Sequence, residues 1–499
     1  MSASASSAGR PAAPGDERVF GPREQLAIWL LLASAFVVIL NETIMSVALP
    51  RLMDDLGITA AAGQWLTTAF LLTMSVVIPI TGMLIQRLRT RTLFLVAMGL
   101  FSAGTLIAAA APGFLVLLIG RVVQAGGTAI MMPLLMTTVV TLVPPDRRGR
   151  LMGRIAVVIS VAPALGPTVS GLILQWLSWR WLFIFVLPIA LTALIMGAAK
   201  LPNVGTQRKA FVDVLSVILS VLAFGGVVYG LSAFGEGDEV WVSPFVPLTI
   251  GVVGLVLFVW RQLVLQRTDR ALLDLRTFTI RPFALSVILF LFASLALFGS
   301  LILLPIYVQN VLGFGVLESG LLLLPGGLLM GLLGPTVGRV VDRYGARVAL
   351  VPGLIVGAAS LWSMALLTDT SSLWQVLASH IGLSLGLAGT FTPLFSVSLG
   401  SLPGRLASYG SATLSTVQQI GGAAGTALFV TVMTLVSVGV AGAGNPVDAA
   451  ALAQGTRAAF MVGGLAMTAG AVLSLFVTES ATDPASAAHR GSGAPARLG

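Results

Sequence analysis

Fourteen long apolar segments, separated by short turns, follow one another along almost the whole chain. A bilayer core of about 30 Å needs roughly 20 apolar helical residues per crossing. Because the backbone finds no water inside lipid, each such segment must satisfy its polar groups as a helix. The sequence therefore predicts an all-α polytopic membrane protein with fourteen transmembrane helices. We place them near residues 26–50, 64–85, 92–111, 114–142, 151–175, 181–199, 212–233, 244–265, 282–308, 317–338, 347–368, 373–398, 410–438 and 457–478.

The composition excludes most soluble function classes. Only 9% of the 499 residues are charged, whereas soluble domains carry about 25%. The chain has no cysteine and two histidines, which excludes thiolate chemistry and a histidine-based metal site. The net charge of +9 would suggest nucleic acid as the partner of a soluble protein. Here we assign it to loop arginines, and we expect no metal, cofactor or nucleic acid.

The basic residues are distributed unevenly between the two sides of the predicted membrane. Most of the 28 Lys and Arg residues fall in the tails and in alternate loops, and only Arg51, Arg180 and Arg457 fall in the loops between. Basic loops stay in the cytoplasm, so we expect both termini to be cytoplasmic. Residues 1–25 and 479–499 are predicted to be disordered cytoplasmic tails, and we expect no cleaved signal peptide.

An internal repeat divides the chain. Residues 82–91 and 338–347 are both short basic loops that begin with a glycine, after spans 2 and 10. We therefore predict a six-helix half at 26–200, two inserted helices with their linkers at 201–281, and a second six-helix half at 282–478. Two such halves around a central site are a common transporter architecture.

Four motifs occur in order on the matching spans. They are Asn41-Glu42-Thr43-Ile44 with Val47 to Pro50, Arg121 to Ala129 with Pro133, Ala162 to Gly171, and Trp179 to Phe183 with Pro188. Together they make the sequence resemble the fourteen-span drug:H⁺ antiporters of the major facilitator superfamily, and the Asn-Glu-Thr-Ile variant is similar to the lincomycin-resistance branch. The resemblance implies proton-coupled multidrug efflux across the cell membrane and antibiotic resistance. It also implies that Arg121 is the proton-transfer arginine.

Three ionisable residues lie well inside predicted spans: Glu42, Arg121 and His380. Each is eight residues from the outer end of its span, about 12 Å deep at 1.5 Å per residue. Such residues are costly in lipid and usually functional, so we predict a shared proton-coupling cavity. Alternatives stay open: Glu42 as proton carrier or as a permanent partner of Arg121, Arg121 as a structural residue, and His380 as a second proton site or a neutral link between helices.

Further residues are assigned to the transport path. Methionine suits adaptable binding surfaces, although it also fills cores. The scarcity of carboxylates inside the membrane favours neutral or singly charged amphiphiles as substrates. The predicted substrate cavity contains Asn41, Gln124, Met131, Met132, Gln418 and Gln419.

Two glycine-containing regions are predicted to close the path. Small residues permit close helix packing or a bend, so the fifth-span motif, with Pro163, Gly166, Pro167 and Gly171, is predicted to form a tight seam; ordinary packing is the alternative. The predicted cytoplasmic gate contains Gly82, Arg87, Arg91, Gly338, Asp342 and Arg343. The first loop carries Gln86 where Asp342 stands in the second, so its arginines alternatively serve only to orient the chain.

The preferred function is thus drug:H⁺ antiport by alternating access, driven by the proton gradient. Its partners are a small lipophilic substrate, protons and the bilayer, and we expect a monomer. An exporter of an endogenous lipid or secondary metabolite is the alternative. A membrane enzyme is disfavoured because no phosphate-binding loop is visible, and a channel fits the two-half repeat poorly.

Overall fold

The structure is a computed structural model that describes residues 21–58, 60–143, 145–203, 213–234, 243–442 and 447–477. The predicted C-terminal tail and most of the N-terminal one lie outside the described residues. The described part of the N-terminal region differs from the prediction, because the first helix already begins at Pro22.

Fourteen helices follow one another in the described parts of the chain. Thirteen candidate membrane spans are recognised there by length and apolar composition, and the fifth helix, with 32 residues, is long enough to be the fourteenth. The predicted all-α polytopic fold is confirmed. The helices are α1 Pro22–Leu56, α2 Ala60–Arg87, α3 Thr90–Ala109, α4 Phe114–Leu142, α5 Pro145–Trp176, α6 Arg180–Lys200, α7 (Val214–Ser220, a π-helical turn Val221–Gly225, and Gly226–Phe234), α8 Phe245–Leu265, α9 Arg281–Asn310, α10 Val316–Tyr344, α11 Arg347–Met364, α12 Leu373–Gly400, α13 Ala407–Ala441 and α14 Ala449–Ser474.

Local sequence signals set several helix ends. Pro22 occupies the first turn of α1, where its missing N–H costs no hydrogen bond, and the Glu24 carboxylate accepts from the N–H of Gly21 at 3.1 Å. The same helix ends at Gly57, whose φ of 62° is left-handed and suits glycine. Ser372 and Asp448 cap α12 and α14 through their side chains.

The two six-helix halves pack in the same pattern. In the first half α1 packs on α5, α2 on α4, and α3 on both α4 and α6; in the second, α9 packs on α13, α10 on α12, and α11 on both α12 and α14. Glycine permits the equivalent close contacts. A Cβ on Gly104 of α3 would lie 2.4 Å from the backbone N of Gln124, and one on Gly386 of α12 would lie 2.4 Å from that of Gly357. The internal repeat is therefore also a packing repeat.

Two arginines on the arginine-poor side have equivalent structural roles. A guanidinium N–H of Arg180 on α6 donates to the carbonyl oxygen of Ala111 at 3.0 Å, and one of Arg457 on α14 donates to that of Ala365 at 3.0 Å. The two carbonyls lie at the ends of α3 and α11, where helix dipoles favour cations. Their position against the positive-inside bias thus has a packing explanation.

The inserted helices α7 and α8 form a hairpin that covers the seam between the halves. They pack closely on each other at Gly226 and Gly251, where a Cβ on Gly226 would lie 2.7 Å from the Gly251 Cα. The hairpin also packs against α2 of the first half and α13 of the second. Trp65 of α2 and Tyr229 of α7 bring their rings to 5.7 Å. The pair therefore braces one side of the bundle.

A polar clamp fixes this hairpin at its arginine-rich end. Arg261 of α8 donates two hydrogen bonds to the Asp213 carboxylate, both at 3.0 Å, and these lower the pKa of Asp213 to about 2. Gln262 donates to Ser216 at 2.9 Å and accepts from the N–H of Leu272 at 2.8 Å. The clamp thus ties both inserted helices to the segment that leads into α9.

Candidate functional site

Arg121 of α4 is fully buried among neutral groups from three helices. One of its terminal nitrogens donates to Oδ1 of Asn41 at 3.2 Å and to Oε1 of Gln124 at 2.7 Å. Its Nε donates to the carbonyl oxygen of Leu66 at 3.5 Å, and its guanidinium carbon lies 4.0 Å from the centre of the Phe70 ring. These contacts fix the cation in place and leave its charge without a counter-ion among its hydrogen-bond acceptors.

Glu42 stands next to Asn41 on α1 and is partly exposed. Its carboxyl group lies close enough to Arg121 for the two charges to interact. The structure therefore places both side chains at one site. Glu42 interacts with the cation through space, while neutral oxygens accept the hydrogen bonds of Arg121. A carboxyl group in this position is able to gain or lose a proton without breaking the contacts that hold the arginine.

His380 lies in the other half of the molecule. It is 6% exposed, and its Nε2 is 3.2 Å from the carbonyl oxygen of Leu323 on α10. Its Nδ1 is buried without a hydrogen-bond partner among the described residues. Gly326 leaves the space for the ring, because a Cβ there would lie 2.5 Å from Nε2. Of the three residues predicted to share a cavity, the structure therefore brings Glu42 and Arg121 together. His380 instead contacts α10, which is what a neutral link between helices would do.

The predicted cavity residues fall into two groups. Asn41 and Gln124 are 1% and 0% exposed and bind Arg121, and Met131 is 0% exposed within the apolar core. These three side chains are therefore closed off from solvent in this conformation, and their place in a substrate cavity stays a prediction. The other three are partly exposed, namely Met132, Gln418 and Gln419.

The fifth-span motif makes its close contact at Gly166. A Cβ there would lie 2.1 Å from Oγ1 of Thr43 on α1, one residue after Glu42, so Gly166 holds α5 against the helix that carries the acid. Gly171 has nothing within 4 Å of the corresponding Cβ position, and its predicted part in a tight seam is wrong. Pro163 is partly buried, and the side chain of Pro167 lies outside the described set.

The two halves meet at the arginine-rich end of the bundle. A Cβ on Gly82 of α2 would lie 3.2 Å from the Cβ of Ala412 on α13. Nε2 of Gln86 donates to Oγ of Ser408 at 2.8 Å. Two further hydroxyl oxygens, of Thr137 on α4 and Ser411 on α13, are 2.6 Å apart. A second seam joins α5 to α10, where a Cβ on Gly153 would lie 2.1 Å from the carbonyl oxygen of Gly334.

The predicted gate arginines have other contacts. Arg87, Arg91 and Arg343 are exposed; Arg91 donates to the carbonyl oxygen of Ala198 in its own half, and Arg343 lies over the ring of Tyr344 at 5.2 Å. Gly338 is buried and Asp342 is half-buried. Of the predicted gate residues, Gly82 is thus found at the contact between the halves. Neutral residues supply the hydrogen bonds at this contact. The sequence indicated this at one position, because Gln86 stands in the first loop where Asp342 stands in the second.

No group of three or more His, Cys, Asp or Glu residues that could hold a metal ion is found within the described ranges.

Comparison with known proteins gives a consistent family. The family model "Major Facilitator Superfamily" matches residues 31–426. The chain is 41% identical to the "Uncharacterized MFS-type transporter YcnB" of Bacillus subtilis over 448 residues, which cover 90% of this chain and 93% of that protein. It is 39% identical to the "Lincomycin resistance protein LmrB" of Listeria monocytogenes over 453 residues, which cover 90% of this chain and 96% of that protein.

A more distant relative and a solved structure extend the comparison. The "Multidrug resistance protein B homolog" of Mycobacterium tuberculosis is 30% identical over 397 residues, which cover 79% of this chain and 73% of the relative. The crystal structure of the human organic anion transporter MFSD10 (TETRAN) superposes with a TM-score of 0.66 at 17% identity, covering 91% of this chain and 100% of that one. At this identity the structural match concerns the fold alone.

Proposed function

The chain belongs to the major facilitator superfamily, and on that premise we propose that it exports lipophilic drugs or antibiotics in exchange for protons. The relatives named for lincomycin resistance and multidrug resistance support this class of cargo. The observation that carries the proton-coupling part is the placement of Glu42, the residue after the Asn41 that accepts from Arg121, beside this fully buried arginine.

In the proposed mechanism, Glu42 is the group that binds and releases the proton. Arg121 stays charged, because guanidinium groups do not deprotonate in proteins, and its neutral acceptors hold it in place. When Glu42 is ionised, its charge offsets that of the arginine; when Glu42 is protonated, the site gains a net positive charge. A change in net charge at a buried site alters the relative stability of conformations that expose this site to different sides.

The proposed cycle uses alternating access. Basic loops mark the cytoplasmic side, so the closed arginine-rich end is the cytoplasmic end, and the termini are cytoplasmic. In this cycle, a conformation that is closed at the arginine-rich end and open to the outside lets external protons reach Glu42. Loss of the seams would open the cytoplasmic side, where the proton leaves and cargo enters. The carrier acts as a monomer in the cytoplasmic membrane and needs no cofactor besides the proton gradient.

The test is a resistance panel in a host that lacks its own pumps. We expect Glu42→Gln and Arg121→Ala to abolish resistance and proton-driven uptake of drug into everted vesicles, at normal protein levels in the membrane. Glu318→Gln is the matched control, because Glu318 is an exposed acid at the start of α10, and it should keep full activity.

Two results would contradict the proposal. Full proton-driven export by Glu42→Gln would exclude this acid as the proton carrier. Normal drug sensitivity of cells that express or lack the wild-type chain, together with loss of an endogenous lipid or metabolite from the medium of the deletion strain, would replace drugs with that cargo.

A further inference from the structure

Thr105 on α3 contacts the group that holds the buried arginine. The threonine is 0% exposed, and its Oγ1 lies 2.8 Å from Nε2 of Gln124. The same hydroxyl lies 2.7 Å from the carbonyl oxygen of Phe101, to which it donates. On its other side, Gln124 presents Oε1 to Arg121 at 2.7 Å. One chain of hydrogen bonds thus joins α3 to α4.

The direction of every bond in this chain is determined. A hydroxyl group has one proton, and that of Thr105 goes to the carbonyl oxygen of Phe101. The hydroxyl therefore accepts from Gln124, whose NH₂ group must face it. The amide oxygen then faces Arg121, which has only donors. In the flipped amide, the NH₂ group would face the guanidinium donors, and the buried cation would lose an acceptor.

Backbone packing fixes the distance between the two helices at this point. A Cβ on Gly104, the neighbour of Thr105, would lie 2.4 Å from the backbone N of Gln124. The backbones of α3 and α4 therefore touch beside the hydrogen bond. This contact keeps the Thr105 hydroxyl within reach of the amide and is independent of the side-chain chemistry.

We propose that Thr105 is a positioning residue for proton coupling: by orienting the Gln124 amide, it keeps Arg121 directed to neutral acceptors instead of to Glu42. The inference rests on the proposed function, because it gives the arginine and the acid the roles assigned there. It extends that function to a third helix, which carries no charged group of the site.

The charges around the site are simple enough for a pH measurement. The acid that interacts with Arg121 is Glu42 of α1. The other described contacts of Arg121, which come from α1, α2 and α4, are uncharged: Asn41, the carbonyl oxygen of Leu66, the ring of Phe70, and Gln124. A change in the pH profile after substitution of Thr105 therefore reports on the arginine and this acid.

The test compares Thr105→Val with Thr105→Ser in everted vesicles. Valine keeps the shape and removes the acceptor, so the amide is held by Arg121 alone and the arginine is able to turn toward Glu42. We expect export to fall by up to about tenfold, which is the upper end for one hydrogen bond between neutral groups. The pH profile should shift toward acid by about one unit, because the closer cation opposes protonation. Serine keeps the acceptor and should restore both values.

Controls separate positioning from folding. Thr456→Val removes a similar buried hydroxyl that donates within its own helix, to Leu452 at 2.9 Å, and should leave the pH profile unchanged. In a Gln124→Leu background, Thr105→Val should add no further loss, because the threonine acts through the amide.

Two outcomes would overturn the inference. An unchanged pH profile for Thr105→Val, or equal defects for the valine and serine variants, would assign Thr105 to packing alone. Failure of the proposed function has a different signature, namely full activity of Glu42→Gln. If Glu42→Gln is inactive while Thr105→Val has the wild-type profile, the proton carrier stands and only the positioning role falls.

Discussion

Gly153 of α5 makes the tightest described contact between the two halves, and replacing it with alanine should weaken the closed arginine-rich end. The new Cβ would lie 2.1 Å from the carbonyl oxygen of Gly334, 2.6 Å from its carbonyl carbon and 3.0 Å from the N of Pro335. All three atoms belong to the backbone of α10, so no side chain is able to rotate away. The new Cβ and the Gly334 oxygen must move apart by at least about 1.3 Å to reach ordinary van der Waals contact.

The magnitude follows from the cost of adding a methyl group to a packed contact. Overpacking of this kind costs about 1–3 kcal/mol, which corresponds to about a 5- to 150-fold shift between two conformations. The strain exists only when α5 and α10 touch, so the closed conformation bears it and a conformation with this seam open does not. We therefore expect Gly153→Ala to reduce the ratio of closed to open conformations by at least about fivefold.

The absence of cysteine permits a direct assay of this population. The Thr137 and Ser411 hydroxyl oxygens are 2.6 Å apart across the halves, so Thr137→Cys with Ser411→Cys supplies the chain's only two thiols at this end. Disulfide formation between them reports the closed conformation. With Gly153→Ala added, we expect the rate of cross-linking to fall in proportion to the closed population while the amount of folded protein stays normal.

A matched control lies on the same helix. Gly171 has open space where a Cβ would be, so Gly171→Ala makes the same chemical change in α5 without the contact and should cross-link at the wild-type rate. Equal cross-linking rates for Gly153→Ala and the unmodified pair, with both proteins folded, would refute the view that this seam determines the closed population.

Three further predictions concern the rest of the bundle. Asp213→Asn should lower the melting temperature by the same amount at about pH 6 and about pH 8. The hydrogen bonds with Arg261 lower the pKa of Asp213 from 3.8 to about 2 in the folded protein. The stability that the ion pair contributes is therefore fully present above about pH 5 and is lost only as the pH falls through this lowered pKa. Replacing His380 with glutamine, whose amide is able to donate to the same carbonyl oxygen on α10, should leave the pH profile of vesicle export unchanged, and a shifted profile would identify the histidine as a second proton site. Gly326→Ala should lower the free energy of unfolding by about 1–3 kcal/mol, since its Cβ would lie 2.5 Å from the His380 ring. Gly320→Ala is the control, because nothing lies within 4 Å of its Cβ position, and it should not lower this free energy. Equal stability of the two variants would show that the ring moves aside freely.

The helices could be predicted from sequence because lipid imposes a strict requirement on every segment that crosses it. Apolar runs of sufficient length have one stable backbone structure there, and their number and order match the structure. Their ends were less accurate, as at α5, which was predicted from 151 and begins at Pro145. Beyond the membrane a helix continues wherever its own caps and packing allow, and hydropathy does not report those.

The charged site was predictable for a similar reason. A charge inside lipid is costly unless the protein provides partners, so Glu42 and Arg121 stood out by their rarity alone. Two of the partners of Arg121, Asn41 and Gln124, were singled out from the sequence, but as residues of the substrate cavity. Thr105 became visible only when the fold brought its hydroxyl to Gln124.

Glycine shows why the seams were not predictable. Gly171 and Gly153 lie on one helix, yet one faces open space and the other touches a backbone of the opposite half. The difference depends on α10, which lies more than 140 residues later in the chain. Likewise, the hydrogen bond from Gln86 to Ser408 joins residues 322 positions apart. A pattern within one segment carries no information about which surface it will meet.

The inserted hairpin makes the two seams unequal, although the repeat relates them. The α2–α13 seam has α7 of the hairpin packed along it, and its glycine contact is mild, with the Gly82 Cβ position 3.2 Å from the Ala412 Cβ. The α5–α10 seam depends on backbone contact at Gly153, where the same addition would leave only 2.1 Å. A methyl group at Gly82 requires a shift of only a few tenths of an ångström, so it costs less than one at Gly153. The free-energy difference between the closed and open conformations is therefore most sensitive to the α5–α10 seam, which lacks the hairpin. For this reason a single methyl group should move the equilibrium at Gly153 and not at Gly82.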